Sequence, residues 1–113
     1  MRKPLLHTKV TVKLRKSEYR EEWYLYTESY PVRNPGSTKP KRVIEAVNRT
    51  ITTPVWDTTA ITGIDLEGNY KYKPKRDSNG IIQCVSQLEK EACRYADKVR
   101  ALRQQEYDTA VVY

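Results

Sequence analysis

From Lys9 to Lys16 the chain alternates, with Val10, Val12 and Leu14 on one side and Lys9, Thr11, Lys13 and Arg15 on the other. Successive side chains of an extended segment point to opposite faces of a sheet, so this period of two predicts a strand with one buried and one exposed face. Polar residues 17–21 form a connection, and Trp23 to Tyr30 reads as a second strand. There Trp23, Leu25 and Thr27 oppose Tyr24, Tyr26, Glu28 and Tyr30. Pro31, Asn34-Pro35-Gly36-Ser37 and Pro40 mark a turn, because neither proline nor glycine supports continued pairing there. A third β-prone stretch runs from Arg42 to Thr53 with Val43, Ile44, Val47 and Ile51. Its facing stays open because Val43 and Ile44 are adjacent. Three strands with short connections imply an antiparallel meander.

Pro54-Val55-Trp56-Asp57 ends the third strand, and Thr58 to Asn69, polar with Gly63 and Gly68, reads as a loop with some strand character. Tyr70-Lys71-Tyr72-Lys73 alternates again and Asp77-Ser78-Asn79-Gly80 is a turn signal, which predicts a small second hairpin over about 70–84. The last third is helical. Leu88, Ala92, Tyr95, Ala96, Val99 and Leu102 recur at three- and four-residue spacing, and Ser86-Gln87-Leu88-Glu89 fits a capping box with Ser86 as N-cap. A start near Ser78 competes, but Asn79-Gly80 is a poor helix opening.

The expected fold is therefore α+β: a three-stranded antiparallel sheet over about 9–53, an inserted loop or small hairpin over about 58–84, and one C-terminal helix over about 87–107. One helix covers one face of a sheet. Its stripe should pack on Val10, Val12, Leu14, Trp23 and Leu25, leaving Lys13, Arg15, Tyr24 and Tyr26 exposed together. Trp56 is read as core rather than contact, since Pro54 precedes it at a strand end.

Composition sharpens this. The 113 residues are one domain's worth of chain, able to bury roughly 65% of the unfolded surface without disulfides or metals. No apolar run approaches the roughly 20 residues of a membrane span, and the opening Met1-Arg2-Lys3-Pro4-Leu5-Leu6-His7 is too poor in apolar residues for a signal peptide. A cytoplasmic protein is expected. Residues 1–76 hold 16 basic and 8 acidic side chains, net +8, whereas 77–113 hold 5 and 6, net −1. Three clusters account for much of the excess: Arg2, Lys3, Lys9, Lys13, Arg15 and Lys16; Lys39, Lys41, Arg42 and Arg49; and Lys71, Lys73, Lys75 and Arg76. Charge segregated in this way points to an anionic partner more strongly than the net value does, although lysine-rich strand faces also serve only to keep sheets soluble.

Catalysis has little to stand on. Nucleophile, base and charge stabiliser must share one cleft, and the single histidine, His7, lies in the N-terminal segment. Asp65 and Glu67 have no second acidic pair, there is no phosphate-binding glycine motif, and Cys84 and Cys93 lack the spacing of a zinc site or a disulfide framework. The cysteines are expected to be reduced thiols. The chain is expected to be neither an enzyme nor a binder of cofactors or small-molecule substrates.

The opening strand Val10-Thr11-Val12-Lys13-Leu14-Arg15-Lys16, Trp23-Tyr24-Leu25-Tyr26, the closure Thr50-Ile51-Thr52-Thr53-Pro54-Val55-Trp56-Asp57, the tail Tyr72-Lys73-Pro74-Lys75-Arg76-Asp77-Ser78-Asn79-Gly80-Ile81-Ile82-Gln83-Cys84 and Tyr95-Ala96-Asp97-Lys98-Val99-Arg100 carry a resemblance. Together they resemble the N-terminal arm-type DNA-binding domain of tyrosine recombinases (integrases) of conjugative transposons. The insertion from about Thr58 to Asn79 is longer than the bare sheet of that domain requires. The resemblance implies a sequence-specific anchor on accessory arm sites during integration and excision of a mobile element. It also implies that this chain is the front piece of a longer recombinase, with strand exchange in a separate C-terminal domain.

Charge, geometry and resemblance converge on duplex DNA as partner, with other recombinase protomers in a nucleoprotein complex and no membrane. A two- or three-stranded ribbon is narrow enough to enter the major groove. Lys13, Arg15, Arg42 and Arg49 would contact phosphates or guanines, Tyr24 and Tyr26 would add apolar or hydroxyl contacts, and Lys71, Lys73, Lys75 and Arg76 would hold the backbone nearby. Two other readings of the same sheet are an RNA-binding platform that stacks bases and a protein-interaction module that accepts a partner strand.

Overall fold

In the computed structural model, residues 7–33, 36 and 39–112 are described, with side chains to residue 109. Arg2 and Lys3 of the first basic cluster, most of the Asn34–Ser37 turn and Tyr113 lie outside the described residues. The element order is β1 (Lys9–Lys16), β2 (Trp23–Val32), β3 (Lys41–Ile51), β4 (Trp56–Ile64), β5 (Tyr70–Pro74) and α1 (Gln87–Val112). The fold is α+β: β1, β2 and β3 form an antiparallel sheet in that order, β4 and β5 form a second two-stranded sheet, and α1 packs on the first.

Alternation decides which face of the first sheet is buried. Val10 and Val12 of β1 and Leu25, Thr27 and Ser29 of β2 turn toward α1. They join Val47, Ile51, Ile82, Cys84, Cys93 and Ala96 in the core, with Leu14, Trp23, Ile81 and Ala92 around its margin. β3 departs from simple alternation. Leu25 pairs with Arg49 but Tyr26 pairs with Ala46, so Val47 and Asn48 form a bulge in which Asn48 adopts φ 64°. The bulge seats Val47 in the core and turns Arg49 to the helix side. It also settles the open facing: Val43, opposite Ser29, lies on the helix side and Ile44, opposite Glu28, on the other.

The 58–69 segment, expected to be largely loop, is mostly strand. β4 pairs with β5 from Trp56↔Pro74 to Ile64↔Tyr70. Its tip is a five-residue turn in which Asp65 Oδ1 accepts from the amides of Glu67 (2.9 Å) and Asn69 (2.8 Å), with Gly68 at φ 87°. β4 escapes a periodicity reading because Thr58, Thr59, Ile61, Thr62 and Ile64 are all exposed, so no face selects apolar residues. The hairpin expected over 70–84 contracts to a turn at Asp77–Gly80 that closes the single bridge Arg76↔Ile82. Cys84 then bridges to Pro54.

α1 opens where the capping residue placed it. The Glu89 amide donates to Ser86 Oγ (3.4 Å). The Glu89 carboxylate does not return to the Ser86 amide. It accepts from Thr52 Oγ1 (2.6 Å), Thr53 N (2.9 Å) and Thr53 Oγ1 (2.7 Å), while Ser86 N donates to Thr53 Oγ1 (3.0 Å). The helix is thus latched to the end of β3. Of the expected core stripe only Ala96 is fully buried, with Ala92 and Val99 half-buried; Leu88, Tyr95 and Leu102 are exposed. Their places on the sheet side are taken by Cys93, Glu89 and Arg103, whose guanidinium grips Glu45 of β3 through two bonds (2.9 and 2.7 Å).

From Thr8 to Val12 the free edge of β1 is covered by side chains. Gln104 accepts from Val10 N (2.8 Å) and donates to Thr8 O (2.7 Å), and Arg76 Nη2 donates to Val12 O (2.6 Å). Satisfied edge groups offer no template to a stray strand. Cys84 and Cys93 are both free, with their sulfurs 3.9 Å apart. Burial pushes the Cys93 thiol up to about 12. Among the described residues no helix is long and apolar enough to cross a membrane.

Candidate nucleic-acid interface

The face of the first sheet turned away from α1 carries Lys9, Thr11, Lys13 and Arg15 from β1, set across from Tyr30, Glu28, Tyr26 and Tyr24 of β2, and beyond them Arg42, Ile44, Ala46 and Thr50 of β3. Strand alternation alone brings these side chains together. At one end of the face Glu28 is the electrostatic centre: Lys13 Nζ lies 3.0 Å and Arg42 Nη1 2.6 Å from its Oε1. Burial opposes ionisation of Glu28, but the hydrogen bond and charge of Lys13, then those of Arg42, outweigh it and hold the carboxyl below its ordinary value. Arg42 also stacks 4.5 Å over the Tyr30 ring. Two of the expected cationic contacts are therefore internally compensated.

Arg15 is not. It is exposed, makes no ion pair or hydrogen bond among the described residues, and sits directly across from Tyr24 with Tyr26 as diagonal neighbour. On one side of it a concave surface of about 500 Å³ runs over Tyr24, Tyr26, Ile44 and Ala46, walled by the β1–β2 loop with Tyr19 and by the Asn48 bulge. On the other side a groove of about 820 Å³ lies between β1 and the β4–β5 hairpin, lined by Lys13, Arg15, Lys16, Lys71, Tyr72 and Lys73 among others. Arg15, Lys16 and Tyr26 line both, so the two depressions form one continuous basic and aromatic surface around the edge of β1.

The hairpin is fixed against that edge by aromatic packing. Trp56, at the start of β4, meets Trp23 edge to face with ring centroids 5.6 Å apart. Such a pair contributes about 0.5–1.5 kcal/mol beyond its buried area. Lys16 Nζ lies 5.5 Å from the Trp23 centroid and donates to Arg20 O (2.9 Å), so its charge is held near the groove. Trp56 is half-buried at this junction rather than in the central core. Lys71, Lys73 and Lys75 are exposed, with Lys73 and Lys75 near enough to Asp57 to help hold its carboxylate ionised, after the side-chain and backbone hydrogen bonds of Thr59.

Of the ten residues expected at the interface, Lys13, Arg15, Tyr24, Tyr26 and Arg42 share the sheet face, and Lys71 and Lys73 border it across the groove. Lys75 is exposed just beyond β5. The other two border the depressions, Arg49 the concave surface and Arg76 the groove, while being engaged within the fold. Arg49 lies on the helix side, where its guanidinium stacks 4.4 Å over Tyr95, because the bulge reverses the alternation of β3. Arg76 is a structural tie, donating to Val12 O and Gly80 O (3.1 Å). Lys16, Trp23 and Tyr72 line the groove without having been expected there; the signal for Lys16 was its place in the first basic cluster. No family model, curated protein or solved structure matches the chain.

Proposed function

We propose that this chain binds duplex DNA in a sequence-specific manner, laying the exposed face of β1–β3 into the major groove. On the resemblance noted above, that binding anchors a tyrosine recombinase at accessory arm sites. The observation that carries the reading is Arg15: an exposed guanidinium, unpaired among the described residues, beside two tyrosines at the meeting point of two basic depressions. A guanidinium free to bond in two places at once matches the paired acceptors of guanine. Three strands about 4.8 Å apart measure about 10 Å between outer axes, against a major groove about 12 Å wide. Lys71 and Lys73 then lie beside the inserted sheet, where a phosphate strand would run.

Selection of duplexes from a randomised pool, followed by anisotropy titration over a range of salt, tests this. A preferred motif should emerge, with a log–log salt slope of about −4 to −5 for five neutralised phosphates. Arg15→Ala should weaken the selected duplex by about 10- to 100-fold and relax one position of the motif. Lys13→Ala should cost less, because Glu28 already engages that ammonium. Lys71→Ala and Lys73→Ala should weaken all duplexes alike and each reduce the slope by about one. A flat salt response or a pool that never converges would sink the proposal. So would single-stranded RNA that displaces the duplex on equal terms.

A further inference from the structure

The apolar arc of α1 is wider than the sheet covers. Cys93 and Ala96 are 3% and 0% exposed beneath it, whereas Leu88, Tyr95 and Leu102 are 84%, 43% and 63% exposed. These three are spaced by seven residues and so form a line along one flank of the helix, about 21 Å from Leu88 to Leu102. Three large apolar side chains in line differ from the scattered exposed leucines of an ordinary surface. Arg49 of β3 stacks on one face of Tyr95 and so helps to hold that ring in place. Glu91, which pairs with Arg94 of the same helix, and Lys98, both exposed, follow the line on its solvent side.

We infer that this flank pairs with the same flank of a second copy of the chain, antiparallel, about a two-fold axis at Tyr95. The pattern is self-complementary, as an isologous interface must be. Leu88 and Leu102 stand seven residues on either side of Tyr95, so antiparallel pairing sets Leu88 of each copy against Leu102 of the other and Tyr95 against Tyr95. It also brings Lys98 of each copy, which has no ion pair among the described residues, beside the Glu91–Arg94 pair of the other, adding a second cation to each Glu91 carboxylate at the rim. Parallel pairing in the same register would set Glu91 against Glu91 and Lys98 against Lys98. Charge therefore selects the antiparallel arrangement, by repelling the alternative as well as by favouring the match. The contact is a single helix flank, so a weak association is expected, with a dissociation constant on the order of 10–100 μM. This inference does not depend on the DNA-binding proposal.

Sedimentation equilibrium of the full chain, without DNA, is the test. A monomer–dimer equilibrium in that concentration range is expected. The double variant Leu88→Gln, Leu102→Gln should be monomeric at every concentration with unchanged helical circular dichroism, since both positions are exposed. Glu91→Lys and Lys98→Glu should each weaken the dimer by roughly five- to tenfold, and the two together should restore it. A wild-type chain that stays monomeric up to about 0.5 mM, a dimer indifferent to the two glutamines, or a double charge exchange no better than the single ones would each overturn the inference.

Discussion

Glu89 couples the start of the helix to the end of the third strand through three hydrogen bonds from Thr52 and Thr53. Burial works against its charge, yet these bonds bring its pKa down to about 2 from an ordinary 4.5. A carboxyl depressed in the folded state stabilises the fold fully above its unfolded value, and that contribution disappears as pH falls toward the folded value. The melting temperature should therefore drop between about pH 4.5 and pH 2. Glu89→Gln should flatten that drop while costing about 1–2 kcal/mol at neutral pH, allowing for solvent screening. Thermal melts of both proteins across pH check this. Thr27 is the opposite case, a side chain at 0% exposure whose Oγ1 has no hydrogen-bond partner among the described residues. An unsatisfied buried hydroxyl carries a desolvation cost that an isosteric methyl does not. Thr27→Val should be neutral or stabilising by up to about 1 kcal/mol in urea unfolding, with an unchanged denaturant slope.

Among the elements, β3 depends on one backbone irregularity. Asn48 at φ 64° occupies the left-handed region that asparagine and glycine tolerate and β-branched residues do not. Asn48→Gly should leave stability within about 0.5 kcal/mol, whereas Asn48→Val should cost about 1–2 kcal/mol and disturb the facing of Arg49. Chemical denaturation of the pair would show the difference. That bulge also explains what was legible in the chain. β1 and β2 follow period two without interruption, so their pairing, their buried face and the grouping of Arg15, Tyr24 and Tyr26 could all be read from alternation. Arg49 could not, because no residue pattern marks where the alternation reverses. Arg76 could not either: its partners are backbone carbonyls, which every residue has. The phase of α1 is not legible either, because Leu88, Tyr95 and Leu102 look like core at heptad spacing, while Glu89 and Arg103 look like surface. Only the threonines and Glu45 waiting opposite make them inward residues.

For the whole molecule, the Cα radius of gyration is 16.1 Å, above the roughly 13 Å expected of a compact domain of this length, with extents of 47 × 32 × 27 Å. Two features account for the excess: a 26-residue helix about 39 Å long, and a β4–β5 hairpin that stands beside the main sheet rather than on it. The hairpin leaves and rejoins the body at one point, where Lys75 N donates to Val55 O at 2.8 Å. The core residues Ile82 and Cys84 lie outside that loop. Replacing 56–74 by a two-residue turn should therefore yield a folded protein, less stable by about 1–2 kcal/mol for the loss of Trp56 from Trp23. Circular dichroism would check the fold. On the DNA-binding proposal, the shortened chain should keep a motif preference in DNA titrations, because Arg15, Tyr24 and Tyr26 remain, but lose about two from the salt slope with Lys71 and Lys73. The same closure has a wider meaning. A segment whose ends already meet is a port: hairpins of other lengths and charges that keep Trp56 against Trp23 could be spliced in between Val55 and Lys75. Under the proposed DNA binding, the grip on the phosphate backbone could then be varied independently of the reading of bases.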